Sequence, residues 1–226
     1  MKKVPTYYPI FLNIRDKKCV VVGGGEVALR KVKTLLEHGA SVEVISPELC
    51  PELGQLAQSG EIGVLPRNYR VGDLQGAVIA IAATNDHSIN REVAREARER
   101  GVLVNVVDDA GSSDFIALSY LRRGDITIAV STGGRSPALA RKIRIKLERD
   151  FGDEYASLAL LLSEVRAEVK RQGIKVDGDA WQEALDLDLL TSLLMIGDKE
   201  KARSVLLNNL KMLGESRAGG ETEHVS

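Results

Sequence analysis

The stretch from Lys18 to His38, KCVVVGGGEVALRKVKTLLEH, constrains this chain more than any other. Residues 19–22 form a continuous apolar run containing three valines, the mark of a strand buried on both faces. Three glycines stop it, and Val27, Ala28, Val32, Leu35 and Leu36 then recur at helical spacing. In that strand–turn–helix setting Gly23-x-Gly25-x-x-Ala28 reads as a dinucleotide-binding fingerprint. Gly23 permits a tight turn, and Gly25 lets backbone approach a pyrophosphate. Ala28 takes the third-glycine place and is small enough for helix to pack on strand. Amides at the helix start then face the phosphates with the helix dipole behind them. The competing reading is an ordinary α/β turn with no nucleotide.

At 226 residues the chain is long enough for one large domain or two small ones. Its 31 basic and 32 acidic side chains nearly cancel, which argues against general attraction to nucleic acid or to an acidic membrane. No apolar run reaches the roughly 18 residues of a membrane span, and Lys2-Lys3 is not followed by a signal-peptide core. A cytoplasmic protein is expected. Cys19 and Cys50 belong to no CxxC or Cys/His cluster, and His38, His87 and His224 are scattered. Neither redox catalysis nor a metal site is indicated.

In chain order, residues 10–14 read as a short edge strand, 41–45 as a second strand and 47–58 as a helix. A third strand follows at 61–65. Residues 77–83, AVIAIAA, carry the strongest strand signal. Asp86 or Ser88 caps a helix to about residue 100, and 102–107 is the fifth strand. Alternating strands and helices predict a Rossmann-like, doubly wound parallel sheet. Residues 114–121 and 125–131, joined by Arg122-Arg123-Gly124, form an antiparallel hairpin, because so short a link forbids a parallel crossover. Ser136-Pro137 opens a helix to about 149. Helices follow at 154–171, 180–185, 189–195 and 199–213, the third of them capped by Asp188. Residues 214–226 read as a disordered tail.

Three further places carry candidate chemistry. At the end of the second strand, Glu48 either reaches an adenosine ribose or sits in the first turn of the next helix, where a carboxylate is favourable anyway. With no arginine just beyond it, NAD is favoured over NADP. Thr84-Asn85 ends the fourth strand where ligands lie in open α/β sheets, or is plain turn chemistry. Asp108 and Asp109 end the fifth strand beside the same crevice, as proton acceptor, substrate anchor or merely solvated loop acids. The second glycine loop, Ser131–Pro137, combines amides and hydroxyls suited to an anion with Arg135, Arg141, Lys142 and Arg144 nearby. It suits an acidic substrate with several carboxylates; alternatively it is a capped helix with a solvated basic face.

Taken together, VVGGGEVALRK, AIAATND, NVVDD and FIALSYLRRGDITIAVSTGGRSPALARKIR resemble the siroheme-synthase family, including precorrin-2 dehydrogenases and the amino-terminal part of fused siroheme synthases. The resemblance covers somewhat over half the chain. It implies NAD-dependent oxidation of precorrin-2 to sirohydrochlorin and, in some members, insertion of ferrous iron at the same site. By position it places Gly23, Gly24, Gly25, Glu26, Val27, Ser46, Pro47, Glu48, Ala83, Thr84 and Asn85 at NAD. Asp108 matches the catalytic acid. Thr132, Gly133, Gly134, Arg135, Ser136 and Arg141 fall to the tetrapyrrole. Leu118 departs from a proline often found in this segment, and Asp109 is an acid that not all members carry.

The resemblance also implies a homodimer joined through the hairpin region and the helical part. The division it supports is an NAD-binding domain over 1–112, a hairpin–helix dimerisation and substrate unit over 113–150, a helical domain over 151–213 and the tail. With no methyltransferase segment following, uroporphyrinogen methylation falls to another protein. Two rivals remain: a non-catalytic NAD-sensing regulatory domain, which does not account for the STGGRSPALAR loop, and a bare α/β scaffold, which explains neither glycine loop.

Overall fold

The computed structural model describes residues 7–220, the last five by backbone alone. The chain groups into two compact units, dividing between Ala117 and Leu118.

The first unit is a Rossmann-like sheet. Strands β1 (Lys18–Val22), β2 (Ser41–Ile45), β3 (Gly63–Leu65), β4 (Ile79–Ala82) and β5 (Leu103–Val106) lie in the order β3-β2-β1-β4-β5. All four pairings are parallel. Helices α1 (Glu26–Glu37), α2 (Pro51–Gln58) and α3 (His87–Arg100) connect them. The strand period of two decides the layering. Cys19 and Val21 pack with Ala28, Leu29, Val32 and Leu35 of α1, whereas Val20 and Val22 pack with Val93, Ala94 and Ala97 of α3. Both faces of β1 are thus covered, and each fully buried valine contributes about 1.5–3 kcal/mol. The chain order reverses between β1 and β4, so the crevice for a ligand opens beyond Val22 and Ala82, which are register partners.

Several local expectations give way. Residues 10–14 form no strand, and Ile10, Phe11 and Leu12 are exposed while only Ile14 enters the core. Helix α2 begins at Pro51 rather than at 47 because the Ser46–Cys50 loop folds back on the glycine turn. Residues 114–118 do not pair as a strand. Instead the Asp114 carboxylate accepts from Val104 N at 3.0 Å and Asn105 donates to Phe115 O at 2.9 Å, so side chains finish the β5 edge.

In the second unit β6 (Ser119–Arg123) and β7 (Ile126–Val130) form the antiparallel hairpin. Its turn is Gly124-Asp125, Gly124 having φ +56°, so Arg122 and Arg123 are paired strand residues rather than the turn. Helix α4 (Pro137–Asp150) packs on the hairpin. Arg123 donates to Phe151 O at 2.9 Å and thereby closes the end of α4. Helices α5 (Glu154–Arg171), α6 (Gly178–Ala184), α7 (Leu187–Met195) and α8 (Lys199–Gly220) surround a core that includes Leu161, Val165, Leu190, Leu206 and Leu210. Asp186, not Asp188, caps α7 by accepting from Leu189 N at 3.0 Å. Helix α8 continues to Gly220 where a tail was expected from 214; residues 221–226 of that expected tail, like His224, lie outside the described residues. No helix among the described residues is long and apolar enough to cross a membrane.

Candidate active site

A cleft of about 800 Å³ opens at the carboxyl ends of β1, β2 and β4. Every residue expected at the cofactor lines it: Gly23 to Val27, Ser46 to Glu48 and Ala83 to Asn85. Each glycine of the turn has a different reason to be there. Gly23 has φ +126°, and a Cβ would stand 2.5 Å from Ala83 O. A Cβ on Gly24 would overlap Glu48 O and stand 2.6 Å from Ser46 Oγ. That crowding arises because Ser46 Oγ donates to Glu48 O at 2.6 Å and Cys50 N donates to Gly24 O at 2.7 Å. Gly25 is the reverse case: its Cβ position meets nothing within 4 Å and faces the cleft.

No side chain caps α1, whose preceding residue is Gly25. By contrast Asp86 caps α3, accepting from Ser88 N at 2.7 Å and Ile89 N at 3.3 Å. The first-turn amides of α1 are therefore left for an external acceptor, at the positive end of the dipole and beside an open glycine. This fits the diphosphate of a dinucleotide. Ala28, fully buried, allows the close approach of α1 to the sheet.

The loop places Glu48 on the exposed cleft wall, three residues before α2, so the first-turn reading is excluded. Ser46 is buried and its hydroxyl is committed to the loop. Thr84 Oγ1 lies 2.7 Å from Asn90 Oδ1, and Asn90 Nδ2 returns a bond to Thr84 O at 3.0 Å. Buried Asn90 thus clamps the β4 turn, a role that its place on an ordinary helix face did not announce. Asn68 and Tyr69 complete the wall from a segment that reads only as a polar link. Tyr69 is held by Glu96 of α3, which is 2 % exposed and also accepts from Gly72 N at 3.0 Å and from Arg100 Nε at 2.6 Å. The available signal was position: Glu96 stands three residues after Val93 and one before Ala97, on the apolar side of α3. Glu26, Cys50 and Glu52 converge to within 4.8 Å. Their carboxylates face the starts of α1 and α2, where the positive dipole ends oppose a cation.

The two acids after β5 part company. Asp109 Oδ1 accepts from Gly111 N at 3.1 Å and Ser112 N at 3.2 Å, capping a single 3-10 turn over Ala110–Ser112. Hydrogen bonding to Ser112, then to the Gly111 amide, holds its carboxyl below the usual range. Asp108 is exposed, has φ +61° and bonds to nothing among the described residues. A non-glycine residue in the left-handed region is uncommon and concentrates at functional positions. Half-buried Lys31 of α1 feels its charge: burial and Arg30 lower the Lys31 pKa, and Asp108 opposes them.

In the second unit, Gly133 and Gly134 have φ +62° and +79°, consecutive left-handed residues that turn the chain into α4, with Gly133 N donating to Ser131 Oγ at 3.0 Å and Arg135 N to Thr132 O at 3.1 Å. Thr132 Oγ1 accepts from Ser136 N at 3.0 Å, and Ser136 Oγ caps α4 through Leu139 N at 3.2 Å. These hydroxyls shape the loop. Arg135 and Arg141 are exposed and have no carboxylate partner among the described residues, whereas Arg144 is paired with Glu148.

Residues 10–119 match the family described as NAD(P)-binding, and residues 123–150 the family described as sirohaem biosynthesis protein, central. The siroheme synthase of Chromobacterium violaceum is 43% identical over 215 residues, 94% of this chain and 46% of that one. That of Thioalkalivibrio sulfidiphilus is 40% identical over 218 residues, 95% and 44% of the two chains. Among solved structures, SirC, a precorrin-2 dehydrogenase, shares the fold with a TM-score of 0.66 at 24% identity, over 91% of this chain and all of that one. The chain spans about half the length of the curated relatives it matches, and across that span it is similar to siroheme synthases.

Proposed function

We propose that the chain is an NAD-dependent precorrin-2 dehydrogenase that yields sirohydrochlorin. The observation that carries this reading is the uncapped start of α1 beside an open Gly25, in a chain that matches siroheme synthases through both glycine loops. When bound, the nicotinamide supplies the hydride acceptor. The oxidation removes a hydride and a proton from the macrocycle. Asp108, the acid left free while Asp109 caps a turn, takes the proton or positions the ring. The glycine loop with Arg135 and Arg141 binds the substrate carboxylates. Arg67, next to Asn68 of the cleft wall, is engaged by Asp73 in paired bonds of 2.8 and 2.7 Å. It is thereby withheld from a 2′-phosphate, which supports NAD over NADP.

We assign residues 1–112 to the cofactor domain, 113–150 to dimerisation and substrate binding, and 151–213 to a helical domain. A homodimer is supported by the two-stranded hairpin, marginal alone, and by exposed Leu118, Leu139 and Ile143. Two free thiols suit the reducing cytoplasm. Ferrous iron is read as a second substrate, inserted where Asp108 receives the pyrrole protons. Purified protein supplied with precorrin-2 and NAD should form sirohydrochlorin, and Asp108→Asn should slow this by about 10²–10⁴-fold while NAD still binds. Turnover that ignores NAD, or stays near-native in Asp108→Asn, refutes the assignment.

A further inference from the structure

A second cavity, of about 700 Å³, lies wholly within the helical part of the second unit. Its walls are apolar, from Val169, Ile174, Val176 and Ala180, and its mouth is basic, from Arg166, Lys170 and Lys175. Arg166 and Lys170 are one turn apart on α5 and so share a face. Trp181 of α6 closes one side, with the Arg166 guanidinium 5.3 Å from its ring centroid. The three cations have no carboxylate partner within ion-pair distance among the described residues, although Arg171 and Arg203 nearby are both taken up by Glu168. Asp177, the acid on the cavity wall, accepts from Ala180 N at 2.7 Å and caps α6.

Basic side chains over an apolar floor are solvated differently from those on an open face. Their stems pack, and their heads converge on one opening. A stacked indole and guanidinium add a flat, polarisable surface. We propose that this cavity binds a planar ring bearing at least two anionic groups. The ring lies against Trp181, and its acids are met by Arg166, Lys170 and Lys175. The size suits such a ligand, since small-molecule sites run to about 300–1,000 Å³. Two sources offer this chemistry, a carboxylated tetrapyrrole and a nucleotide. The tetrapyrrole arm rests on the function proposed above and makes the cavity a second holding point for the macrocycle.

Trp181 is the one tryptophan in the sequence, so the full-length ¹⁵N-labelled protein shows a single indole N–H resonance. Ring-current shifts act only at close range, unlike fluorescence quenching, so this resonance reports stacking at Trp181 alone. Uroporphyrin and ADP are the probes. One of them should shift the resonance saturably, and the one that does identifies the source. The double variant Arg166→Gln, Lys170→Gln should weaken that midpoint about tenfold or more. Both positions are exposed, so unchanged circular dichroism should accompany the loss. Raised salt should weaken binding in the native protein. Asp108→Asn should keep the shift, so a failed dehydrogenase reading and a failed cavity are separately visible. If neither probe moves the resonance, or the double variant shifts at the native midpoint, the proposal is wrong.

Discussion

Glu96 offers the sharpest test of how the cofactor cleft is held open. Its carboxylate, 2 % exposed, receives the Tyr69 hydroxyl, the Gly72 amide at 3.0 Å and Arg100 Nε at 2.6 Å. Hydrogen bonds to a charged acceptor are worth about 1.5–3 kcal/mol each, while Arg100, 40% exposed, adds little beyond the ~0–1 kcal/mol of a surface pair. Glu96→Gln keeps the shape but turns one acceptor into a donor that faces donors. Losing one such bond and opposing a buried N–H or O–H should cost about 2–4 kcal/mol. At about 2–4 °C per kcal/mol, Tm should fall by roughly 10 °C. Because Tyr69 lines the cleft, NAD affinity should fall with it.

The acid dependence of that loss has a definite sign. Burial raises the Glu96 pKa, but the bonds from Tyr69, Gly72 and Arg100 outweigh it, so the group titrates below the ordinary 4.5. Its stabilisation is therefore complete above that ordinary value and is lost as pH falls through the folded one. Denaturant melts of native and Glu96→Gln protein should differ most at neutral pH and converge on acidification. Equal melts at neutral pH, or a gap that persists unchanged into acid, would refute the reasoning.

Other substitutions separate backbone from side-chain roles. Gly24→Ala should lower stability together with NAD binding, because its methyl meets Glu48 O, whereas Gly25→Ala should keep the fold and weaken NAD by about tenfold or more in calorimetry. Asp108→Asn should cut dehydrogenation by about 10²–10⁴-fold without moving Tm; Asp109→Ala should lower Tm and leave most turnover. Lys31→Met removes a lysine whose folded pKa lies below 10.5. The native protein should gain stability as pH rises through the lowered value toward 10.5, and in parallel melts the variant should lack that rise.

How much of this was legible in the sequence depended on where the information is carried. The strands β1 and β4 announce themselves because a parallel sheet covered on both faces demands unbroken apolar runs, and each helix around them shows its own period. Residues 10–14 carry a comparable apolar signal yet pair with nothing, since periodicity records the capacity to be buried and not the presence of a neighbouring strand edge. Residues 114–118 fail for a related reason: Asp114 and Asn105 satisfy the β5 edge through side chains, which no strand propensity encodes. The Asp188 cap was displaced by Asp186 because boundary residues of equal capping strength are told apart only by the tertiary path of the chain.

The site divides along the same line. Its glycine turn was legible because backbone can approach a ligand closely only where Cβ is absent. Gly23 and Gly25 could be assigned reasons in advance. Gly24 could not, since its constraint comes from Glu48 O, in a loop more than twenty positions away in sequence. The supports of the wall, Glu96 behind Tyr69 and Asn90 behind Thr84, were invisible for the same cause: each of these residues is unremarkable in its own segment, and acquires a role only when two segments meet. The choice between Asp108 and Asp109 shows the consequence for chemistry. Sequence position makes the two carboxylates equivalent, but a three-residue turn that needs a cap commits Asp109 to the amides of Gly111 and Ser112, which leaves Asp108 for the proposed reaction. The free acid is therefore selected by what its neighbour is obliged to hold, so inserting a residue that abolishes the 110–112 turn should make the two positions interchangeable in the dehydrogenation assay.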